Sequence, residues 1–233
     1  THNEDTNEVM LRNRRIGLSQ SGIVQYIEKY GIHKYKELCE TGYSTIQHYD
    51  NIYSNWFKIP KSIKTTSVKP SGTVSLLAGV TPGMHYPEAN HYIRRIRIGV
   101  NSPLVKGLQD SGYEIEPDVK DKSSLVVSIP IQLEGVRTVN EVSMWEQVCL
   151  ASFLQRYWAD NQVSCTVTFQ KDEGEDIKNL LNYFQYSLKG ISFLPKLEKG
   201  VYEQMPYEEI TKEQFKKMNS VIKPLIFNKL SEE

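Results

Sequence analysis

Between Lys69 and Gly83 the chain reads KPSGTVSLLAGVTPG, and these residue types at this spacing suit an anion-binding turn. Pro70 closes a strand and Gly72 lets a ligand approach the main chain. Ser71, Thr73 and Ser75 set hydroxyls beside the unpaired amides of a first helical turn. A helix N-terminus carries roughly half a positive charge, enough to hold a phosphate without a cluster of arginines. Ser and Thr are also the commonest helix caps, so a purely structural turn is the competing reading. The pattern GxxxxGK[ST] is absent and no GxGxxG follows a strand, which disfavours the ordinary mononucleotide and dinucleotide cradles.

Flanking residues extend this chemistry. Lys69 either meets a phosphate directly or is an exposed lysine at a strand end. His85, two residues after Gly83, either reaches a ligand at the end of the same segment or is a structural hydrogen-bonding residue, the commoner state of a lone histidine. In YIRRIRI, strand alternation puts Arg94 on the face opposite Arg95 and Arg97, so salt bridges suit these three better than a single phosphate clamp. Asp160 and Asn161 stand at a helix-to-strand junction, where turn or cap bonding accounts for them. His2, His33, His48, His85 and His91 are scattered without HExxH spacing, and no metal site is expected. Cys39, Cys149 and Cys165 are odd in number and far apart, which argues against a disulfide framework or zinc site. Their helical and strand contexts suit small structural residues.

The elements that must position these residues belong to a globular chain. Its 233 residues are 39% hydrophobic and 24% charged, and 28 basic residues balance 28 acidic ones. Nonspecific nucleic-acid binding is therefore not expected. No apolar stretch approaches ~20 residues and the start is not signal-like, so a cytoplasmic protein without membrane association is expected. The opening at Thr1 without an initiator Met suits a processed or excised piece.

Six strands alternate with helices. Arg15–Ser19 reads as a short buried strand, Gly22–Tyr30 as a helix stopped by Gly31, and Tyr35–Trp56 as a long helix ended by Pro60. Strands follow at Lys64–Val68, Tyr92–Ile98, Leu125–Ile129, Val163–Phe169 and Ile191–Leu194, with helices at Pro103–Ser111, Val139–Trp158 and Asp176–Leu188. LVVSI and CTVTF are nearly continuous apolar or β-branched runs, which fits strands covered on both faces in a mainly parallel α/β sheet or barrel. From Glu198 the alternation stops, leaving a polar linker and a capped amphipathic helix.

Several stretches together resemble one family. RNRRIGLSQSGI (12–23), KPSGTVSLLAGVTPGMH (69–85), YIRRIRI (92–98), WADNQVSCTVTF (158–169), LKGISFLP (188–195) and YEQMPYEEIT (202–211) are similar to the large chain of ribonucleotide reductases. The resemblance covers nearly the whole chain and is closest to the monomeric adenosylcobalamin-dependent (class II) ribonucleoside-triphosphate reductases. It implies an α/β fold forming the second half of a ten-stranded barrel over residues 1–197, with a C-terminal helical extension over 198–233. It implies reduction of ribonucleotides to 2′-deoxyribonucleotides by thiyl-radical chemistry, with adenosylcobalamin as cofactor and a thioredoxin-type dithiol as reductant. Residues 70–75, Pro70 to Ser75, would form the loop that receives the phosphates of a ribonucleoside triphosphate, with Lys69 and His85 as possible additions. The NPCGE finger-loop motif and the C-terminal cysteine pair of the family are absent, so no cysteine here is nominated as catalytic and the chain is not expected to work unaided. A half barrel exposes an edge, which a complementary N-terminal reductase half would pair. The alternative is a noncatalytic nucleotide-binding or interaction module of the same barrel.

Overall fold

In the computed structural model, residues 2–196 and 203–226 are described. Helices are α1 (Glu4–Asn13), α2 (Ile23–Tyr30), α3 (Ile32–Phe57), α4 (Val74–Leu77), α5 (Leu104–Asp110), α6 (Met144–Tyr157), α7 (Ile177–Phe184) and α8 (Lys212–Val221). Strands are β1 (His91–Gly99), β2 (Glu114–Pro117), β3 (Ser124–Gln132), β4 (Thr166–Phe169), β5 (Ser192–Pro195) and β6 (Tyr207–Glu209). They fall into two compact units: the described parts of Thr1–Tyr86 with Gly135–Lys196, and the described parts of Pro87–Glu134 with Leu197–Glu233. The chain passes between these units after Tyr86, Glu134 and Lys196, whereas the expected domains were 1–197 and 198–233. The linker at 198–202 and the tail at 227–233 lie outside the described residues.

In the first unit, four extended segments lie side by side, parallel and in chain order. Leu18 bridges Thr66, Val68 bridges Val163, and β4 pairs with β5 from Thr166 opposite Ser192 to Phe169 opposite Pro195. The parallel reading therefore holds in this unit. Arg15–Ser19, however, is not a buried strand: Ile16 and Leu18 are each 44% exposed. Among the described residues the segment has a strand neighbour on one side only, through Ile16 N to Lys64 O (3.0 Å) and Leu18 N to Thr65 O (2.9 Å).

Helices cover one face of this row. Gly31, at φ 84, stops α2 and gives its amide to Ile27 O, as its lack of a Cβ allows. The helix expected over Val139–Trp158 is broken into a 3-10 turn at Val139–Glu141 and α6. Ser143 starts the latter by accepting from the Glu146 amide at 3.1 Å. Along α6, Met144, Val148, Ala151 and Leu154 recur at helical spacing and are buried. They join one core with Ile23, Val24, Tyr35 and Cys39 of α2 and α3, Val68, Val163 and Val167 of the strands, and Leu180 and Phe184 of α7. Each fully buried aliphatic side chain contributes about 1.5–3 kcal/mol. Cys39 and Cys165 are buried, and Cys149 is exposed. Burial pushes the Cys165 thiol up to about 11, which keeps it protonated at neutral pH.

The second unit corrects the expectation of a mainly parallel sheet. Its four strands run in the order β2-β3-β1-β6, and every neighbouring pair is antiparallel. Val126 and Val127 in LVVSI are both fully buried, so coverage on both faces was read rightly. A continuous apolar run encodes burial and not strand direction, which the β1/β3 register, His91 opposite Gln132 to Gly99 opposite Ser124, decides. Among the described residues no sheet closes on itself, and the ten-stranded barrel is not seen.

Three arginines of β1 hold successive carbonyls of the segment leading into β6. Arg97 donates to Gln204 O at 3.4 Å, Arg95 to Met205 O at 3.2 Å and Arg94 to Pro206 O at 3.1 Å. Arg95 pairs with Glu208 at 2.5 Å, Arg97 pairs with Asp118, and Arg94 stacks 4.4 Å over the Tyr207 ring. The salt-bridging reading of Arg95 and Arg97 therefore describes this strand.

Candidate functional site

The run from Lys69 to Gly83 lies wholly in the first unit and forms a tight turn after the 65–68 segment. Lys69 is anchored through its amide, which donates to Ser19 Oγ at 2.9 Å. Pro70 is exposed. Ser71 takes the left-handed conformation at φ 54, while Gly72 is not among the residues with positive φ. Ser71 O accepts from both Ser75 N (3.1 Å) and Ser75 Oγ (2.7 Å), which closes the turn. The buried Ser75 hydroxyl thus gives its proton to the turn itself.

The expected helix is a single turn, Val74–Leu77, followed by Gly79 at φ 63. Four residues carry far less dipole than a long helix, so the half-charge expected from the sequence is not available. What the turn offers is local. The amides of Gly72, Thr73 and Val74 have no acceptor among the described residues, and Thr73 and Val74 are exposed. Thr73 makes no side-chain cap bond, which leaves its hydroxyl beside these amides.

Gly83 is the glycine this turn depends on. At φ 54, a Cβ there would stand 2.3 Å from Lys69 O and 3.4 Å from Pro70 O, so the end of the run packs directly on its beginning. Thr81 ties the same stretch to α2, accepting from Gly22 N and donating its amide to Gln25 Oε1, both at 2.8 Å. His85 Nδ1 lies 3.1 Å from Pro82 O, and His85 Nε2 accepts from Thr166 N at 3.2 Å. Both ring nitrogens are thus engaged by main chain. Burial holds its pKa below the usual value against the raising effect of Pro82 O, which favours the neutral ring that such a pair of bonds requires.

A cavity of about 310 Å³ adjoins the turn. Ile16, Gly17, Ser67, Lys69, Asn161, Gln162 and Ser164 line it. Of these, sequence reasoning singled out Lys69 and Asn161 and missed Ser67, Gln162 and Ser164. Their only signal was alternation: Val68 and Val163 face the helical core, so their neighbours in an extended chain face the other way. Asn161 is structural here, donating to Ile16 O at 3.0 Å and Thr66 O at 2.8 Å. Asp160 likewise accepts from Thr65 N, Thr65 Oγ1 and Tyr43 Oη, each at 3.0 Å. Burial alone would raise its pKa, but these bonds outweigh it and hold the carboxylate below its usual value. Among the described residues no cluster of His, Cys, Asp or Glu has the makings of a metal site.

No protein-family model matches the chain. A probable adenosylcobalamin-dependent ribonucleoside-triphosphate reductase from Dictyostelium discoideum is 54% identical over 231 residues, which cover 97% of this chain and 30% of that protein. An adenosylcobalamin-dependent ribonucleoside-triphosphate reductase from Euglena gracilis is 52% identical over 217 residues, 92% of this chain and 30% of the relative. The reductase of that name from Levilactobacillus brevis is 38% identical over 237 residues, 89% of this chain and 32% of its own length. A crystal structure of a B12-dependent (class II) ribonucleotide reductase superposes with a TM-score of 0.86 at 32% identity, covering 98% of this chain and 36% of that one. The chain spans about a third of the length of the proteins it matches. It is therefore a homologue of one segment of the adenosylcobalamin-dependent ribonucleoside-triphosphate reductases.

Proposed function

We propose that this chain acts as part of a ribonucleoside-triphosphate reductase that converts ribonucleotides to 2′-deoxyribonucleotides, and that it contributes the turn receiving the substrate's phosphates. The observation that carries the reading is the set of unpaired amides at Gly72, Thr73 and Val74, in a homologue of enzymes named for that substrate. Three consecutive N–H groups without acceptors, with the Thr73 hydroxyl, suit a phosphate's acceptor oxygens, and charge-assisted bonds of this kind are the stronger ones. Pro70 and Ser71 shape the turn, Ser75 braces it, and Lys69 adds a cation at its start. His85, with both nitrogens engaged, acts by holding Pro82 and Thr166 in place.

Adenosylcobalamin would supply the radical in the whole enzyme. Two cavities among the described residues, of about 310 Å³ and about 540 Å³, are each too small to enclose a corrin ring with its adenosyl and nucleotide arms, and no residue here is assigned to hold it. A thioredoxin-type dithiol would supply the electrons. A complementary N-terminal half would pair the open sides of the parallel row at Ile16–Leu18 and β5, completing the barrel. No helix among the described residues is long and apolar enough to cross a membrane. A cytoplasmic setting suits this chemistry.

The test is Gly72→Val, which sets a branched side chain among the three amides. It is expected to weaken ribonucleoside triphosphate binding by about tenfold or more, the loss of one or two bonds to charged oxygens. Unchanged binding removes the assignment. Mixing the chain with the complementary half should give cobalamin-dependent deoxynucleotide formation; binding without turnover in the mixture would favour the noncatalytic alternative.

A further inference from the structure

The stretches RNRR (12–15) and KSIK (61–64) lie side by side at one end of the parallel row, joined by Ile63 N to Asn13 O and Ile16 N to Lys64 O, both at 3.0 Å. Asn161 Nδ2 bonds Ile16 O at 3.0 Å, and the Lys189 ammonium donates to the main-chain oxygen of neighbouring Asp160. Arg14, Arg15, Lys61, Lys64 and Lys189 are thereby brought to one edge. Among the described residues none of the five forms an ion pair, although the whole chain balances 28 basic against 28 acidic residues. Arg15, Lys64 and Lys189 each stand just before one of the parallel segments, whereas the 69–83 turn follows the far end of 65–68. The cluster is therefore separate from the proposed phosphate turn.

Two carboxylates stand close, and both serve the fold. Asp160 accepts from Thr65 and Tyr43, and Asp50 accepts from the Ser62 amide at 3.1 Å. Positive charge is left in excess. Partial burial and the charges of Lys64 and Arg15 hold the Lys189 pKa below its ordinary value, against the pull of Asp160. Arg14 caps α1 at φ 44, a conformation that favours glycine, so its side chain sits there against local preference. Apolar side chains are interleaved with the cations: Ile16 follows Arg15 and is 44% exposed, and Ile63, between Lys61 and Lys64, is 49% exposed.

We propose that this surface docks an acidic, partly apolar segment of another polypeptide, its carboxylates meeting the five cations and its apolar side chains covering Ile16 and Ile63. An arginine fork receives a carboxylate through two parallel bonds, and a lysine offers a point charge to either oxygen. A bare phosphate would satisfy the cations and gain nothing from two isoleucines, whereas a polypeptide uses both. An excess of one sign of charge steers such a partner on approach and makes its association sensitive to salt.

The experiment uses the 233-residue chain and reads the Nε–H signals of Arg14 and Arg15 by NMR at mildly acidic pH. The probes are a short peptide alternating glutamate with leucine, the same peptide with glutamine for glutamate, tripolyphosphate and oligothymidylate. The glutamate peptide should move both signals and bind about tenfold more weakly at high salt than at low salt, and the glutamine peptide should leave them in place. Arg15→Gln, Lys64→Gln and Lys189→Gln combined should weaken the glutamate peptide about tenfold or more, since each exposed pair contributes up to a few-fold. Lys61→Gln, at an exposed lysine that makes no bond to the fold among the described residues, should weaken it about threefold while leaving the fold undisturbed. Ile63→Ser should also weaken the peptide about threefold and leave any response to tripolyphosphate unchanged. If the glutamate peptide leaves the signals unmoved, or the glutamine peptide binds equally well, the proposal is overturned. It is equally overturned if tripolyphosphate or oligothymidylate moves the signals as strongly as the peptide and Ile63→Ser has no effect, which would mark a plain anion or nucleic-acid site. Tripolyphosphate held at the 69–83 turn leaves the two arginine signals in place, so the two readings fail independently.

Discussion

Replacing Gly83 by alanine perturbs the contact that folds the 69–83 run onto itself. A non-glycine residue at φ 54 costs about 1–2 kcal/mol, because its Cβ crowds the following carbonyl. The added methyl would also stand 2.3 Å from Lys69 O, a main-chain atom that moves only if the turn moves. Overpacking of that kind costs about 1–3 kcal/mol more, for a total of about 2–5 kcal/mol. Gly79→Ala is the matched control, since Gly79 has φ 63 but nothing within 4 Å of its would-be Cβ. It should cost only the conformational part, about 1–2 kcal/mol. Trp56, Trp145 and Trp158 all belong to the first unit, so urea unfolding followed by tryptophan fluorescence reports on the affected unit alone. Gly83→Ala should also weaken tripolyphosphate binding by shifting Lys69 and Pro70. Equal destabilisation by the two substitutions would refute the argument that Gly83 is required by close packing.

Two further outcomes test the scaffold. Leu154→Ala, at a fully buried position of α6, should destabilise the first unit by about 2–5 kcal/mol in the same urea assay, and a loss below 1 kcal/mol would mean the core there is not close-packed. In the second unit, Asp118 is held below the ordinary carboxylate value of 3.8. The Lys120 amide is the chief cause, opposed by burial and helped by Arg97 and the Asp121 amide. Its contribution is complete above the unfolded-state value and is lost as pH falls through the lower folded-state value. A carbon-detected NMR titration should place the Asp118 midpoint below 3.8, with the Lys120 and Asp121 amides shifting in parallel; a midpoint at or above 3.8 contradicts the geometry.

Helix ends with local causes were legible in the sequence. Gly31 stops α2 because it alone tolerates φ 84, and that signal needs no tertiary context. Strand positions along LVVSI and CTVTF were equally readable from their composition. The short strands β2 and β6 were not, since EIEP and YEE lack an apolar run and exist through pairing with β3 and β1. The single continuous helix expected over 139–158 failed because Thr138 and Ser143 each cap a separate start, and local side-chain bonding there wins over apolar periodicity.

The candidate turn divides in the same way. Its place, its hydroxyls and its small residues were written in KPSGTVSLLAGVTPG. That Ser71 rather than Gly72 takes the left-handed conformation, and that Gly83 is the glycine held against Lys69 O, followed only from the folded chain. Local sequence determines propensities, caps and the side-chain alternation of a strand, because those energies arise within a few residues. Strand direction, the turn's closure on its own beginning, and the convergence of Ser67, Gln162 and Ser164 on one cavity arise between residues that are not neighbours in the chain, from the span between Lys69 and Gly83 to the much longer one between Ser67 and Gln162. Pairing and packing across that distance are fixed only when the tertiary structure forms.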